Sequence, residues 1–198
     1  MLKLGVLGST KGTDLQAIIN AIELGILNAE INMVISNIQS AYILERANKH
    51  SIPNKFISDK NIGRDEFANI LTENFSRCNV DIILLIGFMK ILSNKFCQEW
   101  KDKILNVHPS LLPKYAGGIN NDVHKQVLLN NDNETGCTIH FVTEDVDGGP
   151  ILIQKKCAVF KDDNVDSLKQ RVQKLEGKAF IEAINMIEKK TYLSLIHI

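Results

Sequence analysis

The sequence predicts an α/β protein, Rossmann-like and three-layered, with a mostly parallel central sheet. Three observations carry that expectation. Apolar runs and amphipathic segments alternate from residue 2 to residue 108, the pattern of repeated strand–helix units. The run VDIILLIGF (80–88) is almost wholly apolar, as a strand covered on both faces should be. A turn bearing two glycines, GSTKGTD (8–14), joins the first strand to the first helix, where such sheets place ligands.

Each element follows in order. LKLGVLG (2–8) reads as a buried strand, and Leu15, Ile18, Ile19 and Ile22 then recur at helical spacing. INMVISN (31–37) is a second strand, and SAYILERANKH (40–50) a helix that Ser40 can cap. IPNKFIS (52–58) is a third strand and RDEFANILTENF (64–75) a third helix. After the apolar run come a short helix, SNKFCQEWK (93–101), and a fifth strand, KILNVH (103–108).

The pattern then changes. A helix around His124 to Leu129 precedes two β-rich segments, GCTIHFVT (136–143) and ILIQKKCAVF (151–160), which flank the turn EDVDGGP (144–150). A long last helix carries one stripe of Val165, Leu168, Val172, Leu175, Ala179 and Ala183. GSTKGTD, GFMKIL (87–92), NVHPS (106–110) and EDVDGGP all lie at strand ends, so one cleft can collect them.

Composition narrows the function. The chain has 198 residues without a repeat or a Pro/Gly-rich linker, so one domain over 1–188 with a tail at 189–198 is expected. Lys plus Arg equals Asp plus Glu at 23 each, which gives no reason to expect a nucleic-acid partner. Cys78, Cys97, Cys137 and Cys157 form no CxxC pair, which argues against a zinc site or a disulfide framework and fits a reducing cytoplasm. No run approaches the roughly 18 apolar residues of a membrane helix, and the start lacks a secretory apolar stretch. A soluble cytoplasmic protein without a metal is expected.

Asn106 and His108 alternate on the fifth strand, so both side chains face one way. Pro109 and Pro113 then end the pairing. Asp147 is either a turn residue or a carboxylate that orients His108 and favours its charged form. An amide that donates to a developing oxyanion, an imidazole that moves protons and a carboxylate that tunes it make an acyl-transfer site. No Ser or Cys occupies a nucleophile elbow, so direct attack by a substrate amine is the simpler chemistry. His140 points to the same cleft or into the core, as a supporting residue rather than a catalyst. GSTKGTD is neither GxGxxG nor a Walker loop, which lowers the standing of dinucleotide redox chemistry and NTP hydrolysis. It is either a phosphate-binding turn or a generic tight one.

NVHPSLLPKY, GFMKILS, the start SxxGTDLQAII and GCTIHFVTEDVDGGPI together resemble the phosphoribosylglycinamide formyltransferase family, in its order and spacing, to about residue 188. The resemblance implies transfer of the formyl group of 10-formyltetrahydrofolate to the amine of glycinamide ribonucleotide, a step of purine synthesis. It implies small-molecule substrates and a monomer or homodimer. By position, Asn106, His108 and Asp147 match the catalytic triad. Gly12, Thr13 and Asp14 match the phosphate loop, and Gln173, Lys174, Leu175 and Glu176 a further substrate contact. Met89, Lys90, Ile91 and Leu92, with Thr143, Glu144, Asp145, Val146 and Asp147, match the pterin pocket, and Arg64 a folate contact.

The chain departs from the family pattern in three places. Asp14 stands where the phosphate loop usually has Asn, Lys90 stands where Arg is usual, and the loop YAGGINNDVHKQ (115–126) is longer than the common form. Alternatives include a methionyl-tRNA formyltransferase, expected to carry a further C-terminal domain and a basic surface. A formyltetrahydrofolate deformylase would carry an N-terminal regulatory domain. A Rossmann-type oxidoreductase would show a glycine fingerprint and an acidic end to its second strand, where this chain has Ser36-Asn37. A non-catalytic folate- or nucleotide-binding protein would not need all three triad residues.

Overall fold

The computed structural model describes residues 1–117 and 122–191. Seven strands are described: β1 (Leu2–Leu7), β2 (Ala29–Ser36), β3 (Asn54–Phe56), β4 (Ile82–Leu85), β5 (Ile104–His108), β6 (Glu134–Phe141) and β7 (Ile151–Ala158). The helices are α1 (Thr13–Glu23), α2 (Tyr42–Lys49), α3 (Arg64–Arg77), α4 (Asn94–Glu99), α5 (Val123–Leu129) and α6 (Val165–Glu188).

All seven strands join one sheet in the order β3-β2-β1-β4-β5-β6-β7. β1 to β5 pair in parallel, whereas β6 runs antiparallel to both β5 and β7. The chain winds outward from β1 through β2 to β3, then returns to place β4 on the other side of β1. That reversal opens a crevice at the carboxyl ends of β1 and β4, the place where open α/β sheets bind ligands.

Successive strand residues point to opposite faces, and the core divides accordingly. Leu4, Val6, Ile82, Leu84 and Leu105 pack on one face with residues of α1, α2 and α6. Leu7, Ile35, Ile83, Leu85 and Ile104 pack on the other with residues of α3 and α4. β4 is buried along its whole length, as its unbroken apolar sequence requires. Among the described residues no helix is long and apolar enough to cross a membrane.

The element boundaries show where tertiary contacts outweigh local signals. Ser40 does not cap α2. The cap position is Ala41, without a side-chain bond, and the Ile43 N–H instead donates to the Thr10 carbonyl at 3.2 Å. α2 is thereby tied to the loop after β1. β3 shrinks to three residues at the sheet edge, where it has one partner. β6 begins two residues before the expected start, because its pairing with β7 runs from Glu134. α6 opens with a reciprocal cap between Asn164 and Ser167. Residues 118–121 of the long loop and 192–198 of the expected tail lie outside the described residues.

Phe75 is fully buried and meets Trp100 edge-on, with ring centroids 6.1 Å apart. Phe75→Ala should cost about 3–5 kcal/mol in denaturant unfolding, by lost transfer energy and the cavity left behind. Trp100 fluorescence reads the same transition, and a cost below about 1 kcal/mol would contradict this packing.

Candidate active site

β5 delivers Asn106 and His108 to one end of the sheet, and β6 sets their surroundings. Asn106 stands opposite His140, and His108 opposite Thr138. The Asn106 side-chain nitrogen lies 3.1 Å from His140 Nε2. His140 Nδ1 lies 3.0 Å from the Phe141 carbonyl, which can only accept. Nδ1 therefore carries the proton, and Nε2 accepts from the Asn106 amide. Burial pushes the His140 pKa down, against the Phe141 carbonyl and the Asp147 charge, which keeps the ring neutral. One N–H of Asn106 is used, its orientation is fixed, and the other is left to donate.

Asp147 closes the group. Its carboxylate lies 3.3 Å from His108 Nδ1 and 3.7 Å from His140 Nε2, and accepts the Gly117 N–H at 3.0 Å. Burial alone would raise its pKa. The bonds from His108 and Gly117 outweigh burial and hold it below the usual carboxylate value. The turn that carries it is tight: Asp147 has φ 57°, a left-handed conformation. A Cβ at Gly149 would fall 1.8 Å from the Phe141 carbonyl oxygen, so only glycine lets the turn lie on β6.

The other edge of His108 faces protein backbone, Nε2 lying 3.0 Å from the Tyr115 carbonyl. Both partners of this ring are acceptors, so both bonds form only when both nitrogens carry protons. Side chains that the sequence reading missed hold Tyr115 there. Thr138 Oγ1 accepts the Leu112 N–H at 3.0 Å and donates to the Ser110 carbonyl at 2.7 Å. Gln154 donates to the Leu112 carbonyl at 2.9 Å, and the Tyr115 hydroxyl donates to Asp132 at 2.7 Å. Thr138 and Gln154 are polar residues inside apolar strands, a signal visible in GCTIHFVT and ILIQKK.

A cavity of about 650 Å³ opens beside this group, lined by Arg64, Met89, Lys90, Ile91 and Leu92 together with Asp59, Phe67 and Phe88. A smaller pocket of about 100 Å³ shares Phe88, Lys90, Ile91 and Leu92 with it. Thr143, Glu144, Asp145, Val146 and Asp147 line that pocket, which also reaches Asn106 and His140. All nine residues expected at a pterin thus line one or the other of two neighbouring pockets, the smaller of which is bordered by Asn106 and Asp147. His108 lines neither. The cavity combines apolar walls with a few convergent polar groups, as small-molecule sites do. Lys90 is held by Asp59 at 2.9 Å, and both residues line the larger cavity.

The loop after β1 borders the same crevice. The Ser9 N–H donates to the Gly87 carbonyl at 3.1 Å, and the Met89 N–H donates to Ser9 Oγ at 3.1 Å. Ser9 Oγ in turn donates to Asn37 at 2.7 Å. These bonds fix the loop against the cavity wall. Gly12 takes φ 66° at the α1 N-cap, where no side chain caps the helix, so the first N–H groups remain for an anion. Thr13 is exposed and Asp14 buried. On α6, Glu176 is buried near Asp14, Gln173 is half-buried one turn earlier on that face, Leu175 packs on the core and Lys174 is exposed. Burial pushes both Asp14 and Glu176 upward, Glu176 further through the charge of Asp14.

The chain as a whole has matches among known proteins. Residues 2–184 match the model of the formyl transferase family. Phosphoribosylglycinamide formyltransferase of Haemophilus influenzae is 42% identical over 181 residues, covering 91% of this chain and 84% of that one. The crystal structure of glycinamide ribonucleotide transformylase 1 from Symbiobacterium toebii superposes with a TM-score of 0.91 at 34% identity, over 96% of this chain and 89% of that one. The trifunctional purine biosynthetic protein adenosine-3 of Chironomus tentans is 43% identical over 189 residues, but the chain spans only 14% of its length. The chain belongs to the formyl transferase family.

The bonding around His140 is open to a direct check. Nitrogen NMR of the folded protein should show His140 neutral and protonated on Nδ1 as the pH falls through 6.5, where an ordinary histidine takes up its second proton. An Nε2–H tautomer, or an imidazolium forming at the ordinary value, would contradict the assignment.

Proposed function

We propose that the chain is a phosphoribosylglycinamide formyltransferase, which moves the formyl group of 10-formyltetrahydrofolate to the amine of glycinamide ribonucleotide. The observation that carries this reading is the pair of adjoining pockets, the smaller bordered by Asn106 and Asp147, together with an uncapped start to α1. The names of the relatives and of the superposing structure point the same way. Its four cysteines are free, which fits a reducing cytoplasm.

In this reading the pterin lies against the Met89–Leu92 segment and residues 143–146, and Arg64 meets the carboxylate tail of the folate. The ribonucleotide phosphate sits on the N–H groups of Gly12, Thr13 and Asp14. The substrate amine attacks the formyl carbon, and charge develops on the formyl oxygen. The free N–H of Asn106 stabilises that oxygen. His108 gives its Nε2 proton to the folate nitrogen as the carbon–nitrogen bond breaks and takes up in its place the proton that the amine loses. To do so, its Nε2–H exchanges the Tyr115 carbonyl for substrate. Asp147 holds the ring in place throughout. The products are tetrahydrofolate and the formylated ribonucleotide.

Formyl transfer followed by folate absorbance tests the reading. Asn106→Ala and His108→Ala should each lower kcat by about a hundred- to a thousand-fold while both substrates still bind. Because the residues act as a unit, the double variant should be little worse than the worse single one. Near-normal turnover by folded His108→Ala would sink the mechanism. Thr13→Asp should raise KM for the ribonucleotide by about tenfold or more through charge repulsion, with KM for the folate little changed. Equal effects on both substrates would remove the phosphate from this loop.

A further inference from the structure

Two acidic side chains lie where α1 meets α6. Asp14, in the first turn of α1, is 5% exposed, and Glu176, midway along α6, is 8% exposed. The approach of the two helices brings them together. A Cβ at Gly177 would stand 2.7 Å from Ala17 Cβ and 3.9 Å from Asp14 Oδ1. Among the described residues, no hydrogen bond and no ion pair reaches either carboxyl; burial and neighbouring charge alone act on them.

The surrounding groups offer no compensation. Arg46, on α2, donates to the Lys11 carbonyl and to Gln16. Lys155, on β7, is paired with Glu182. Lys169, on α6, favours the charged form of Glu176 only weakly, as the last of its influences. Cys137, on β6, is pushed up to about 12 by burial and then by these two carboxylates, so it remains a neutral thiol. An ionised carboxylate without donors in such a place is costly, and two adjacent ones are more so.

We propose that the buried Asp14 and Glu176 side chains each carry a proton in the ligand-free fold, and that the proton on Asp14 governs how tightly the loop binds a phosphate-bearing ligand. The proposal rests on reading the loop as the ribonucleotide site. Protonated, Asp14 is a neutral side chain on the turn whose N–H groups take the phosphate. Ionised, it sets a negative charge against that phosphate. This accounts for a carboxyl at a position where the family pattern has an amide: the protonated acid is the amide's neutral counterpart.

The linkage has a definite sign. Both carboxyls rise from ordinary values of 3.8 and 4.5 to about 7 and about 8. Over that window the folded chain holds more protons than the unfolded one, so this pair makes stability fall as pH rises from about 4 to about 8. Asn at position 14 removes much of that fall.

Two measurements on the whole chain test the proposal. In thermal melts of the ligand-free protein, Asp14→Asn should melt about 2–4 °C above the parent near pH 8, with the gap closing towards pH 5. In calorimetric titrations with glycinamide ribonucleotide, affinity of the parent should fall about tenfold relative to Asp14→Asn between neutral and alkaline pH. Glu176→Gln, read the same way, serves if Asp14→Asn does not fold. Parallel pH profiles for parent and variants, in melting or in binding, would overturn the proposal. If the melts diverge as expected but no protein binds the ribonucleotide at any pH, the substrate assignment of the loop falls, and the ligand half of this proposal with it.

Discussion

A carboxylate largely withdrawn from water must be given donors, and the site is arranged around the half-buried one at Asp147. His108 Nδ1 and the Gly117 N–H face its oxygens, and His140 stands just beyond hydrogen-bond distance. These groups come from β5, from the loop after β5 and from β6. The carboxylate therefore ties three separate pieces of chain into one geometry. Its own backbone is held left-handed, in a turn that Gly149 lets lie against the Phe141 carbonyl. Strain of that kind persists where the surroundings over-determine the conformation, and here they do.

The second constraint is topological. Because the strand order reverses at β1, the carboxyl ends of β1 and β4 are neighbours, and the loops that follow them touch. Ser9 joins them through its backbone and its hydroxyl, reaching Gly87, Met89 and Asn37. The wall of the large cavity and the loop at the start of α1 are thus one bonded unit, with the strand end of β5 alongside. In the proposed function one small molecule binds on either side of that unit. Formyl transfer between a folate and an amine needs the two to meet, since proximity and orientation supply much of the rate.

Much of this was legible in the sequence. The alternating pattern gave the order of every element. NVHPS and EDVDGGP stood out as candidates because alternation puts Asn106 and His108 on one face and a turn can carry a carboxylate, although a plain strand end and a plain turn read the same way. Resemblance supplied the residues expected at a pterin, and they line two neighbouring pockets. What escaped was long-range. Ser40 looked like a cap, but a carbonyl from another loop satisfies the helix start instead. Thr138, Gln154 and Asp132 hold the loop after β5 from positions that no local pattern connects to it. His108 reads as a direct neighbour of the formyl group, yet both its nitrogens are engaged by Asp147 and Tyr115. The burial of Asp14 depends on the packing of α6 and could not be read from GSTKGTD.

The measurement closest to the centre of this account is a single-turnover formyl transfer by Asp147→Asn, with the affinity of each substrate determined separately. Asn keeps the shape of the side chain but removes the charge that holds His108. The account predicts a chemical step slower by about two to three orders of magnitude, with both affinities little changed. A chemical step close to that of the parent, in a folded protein, would contradict it.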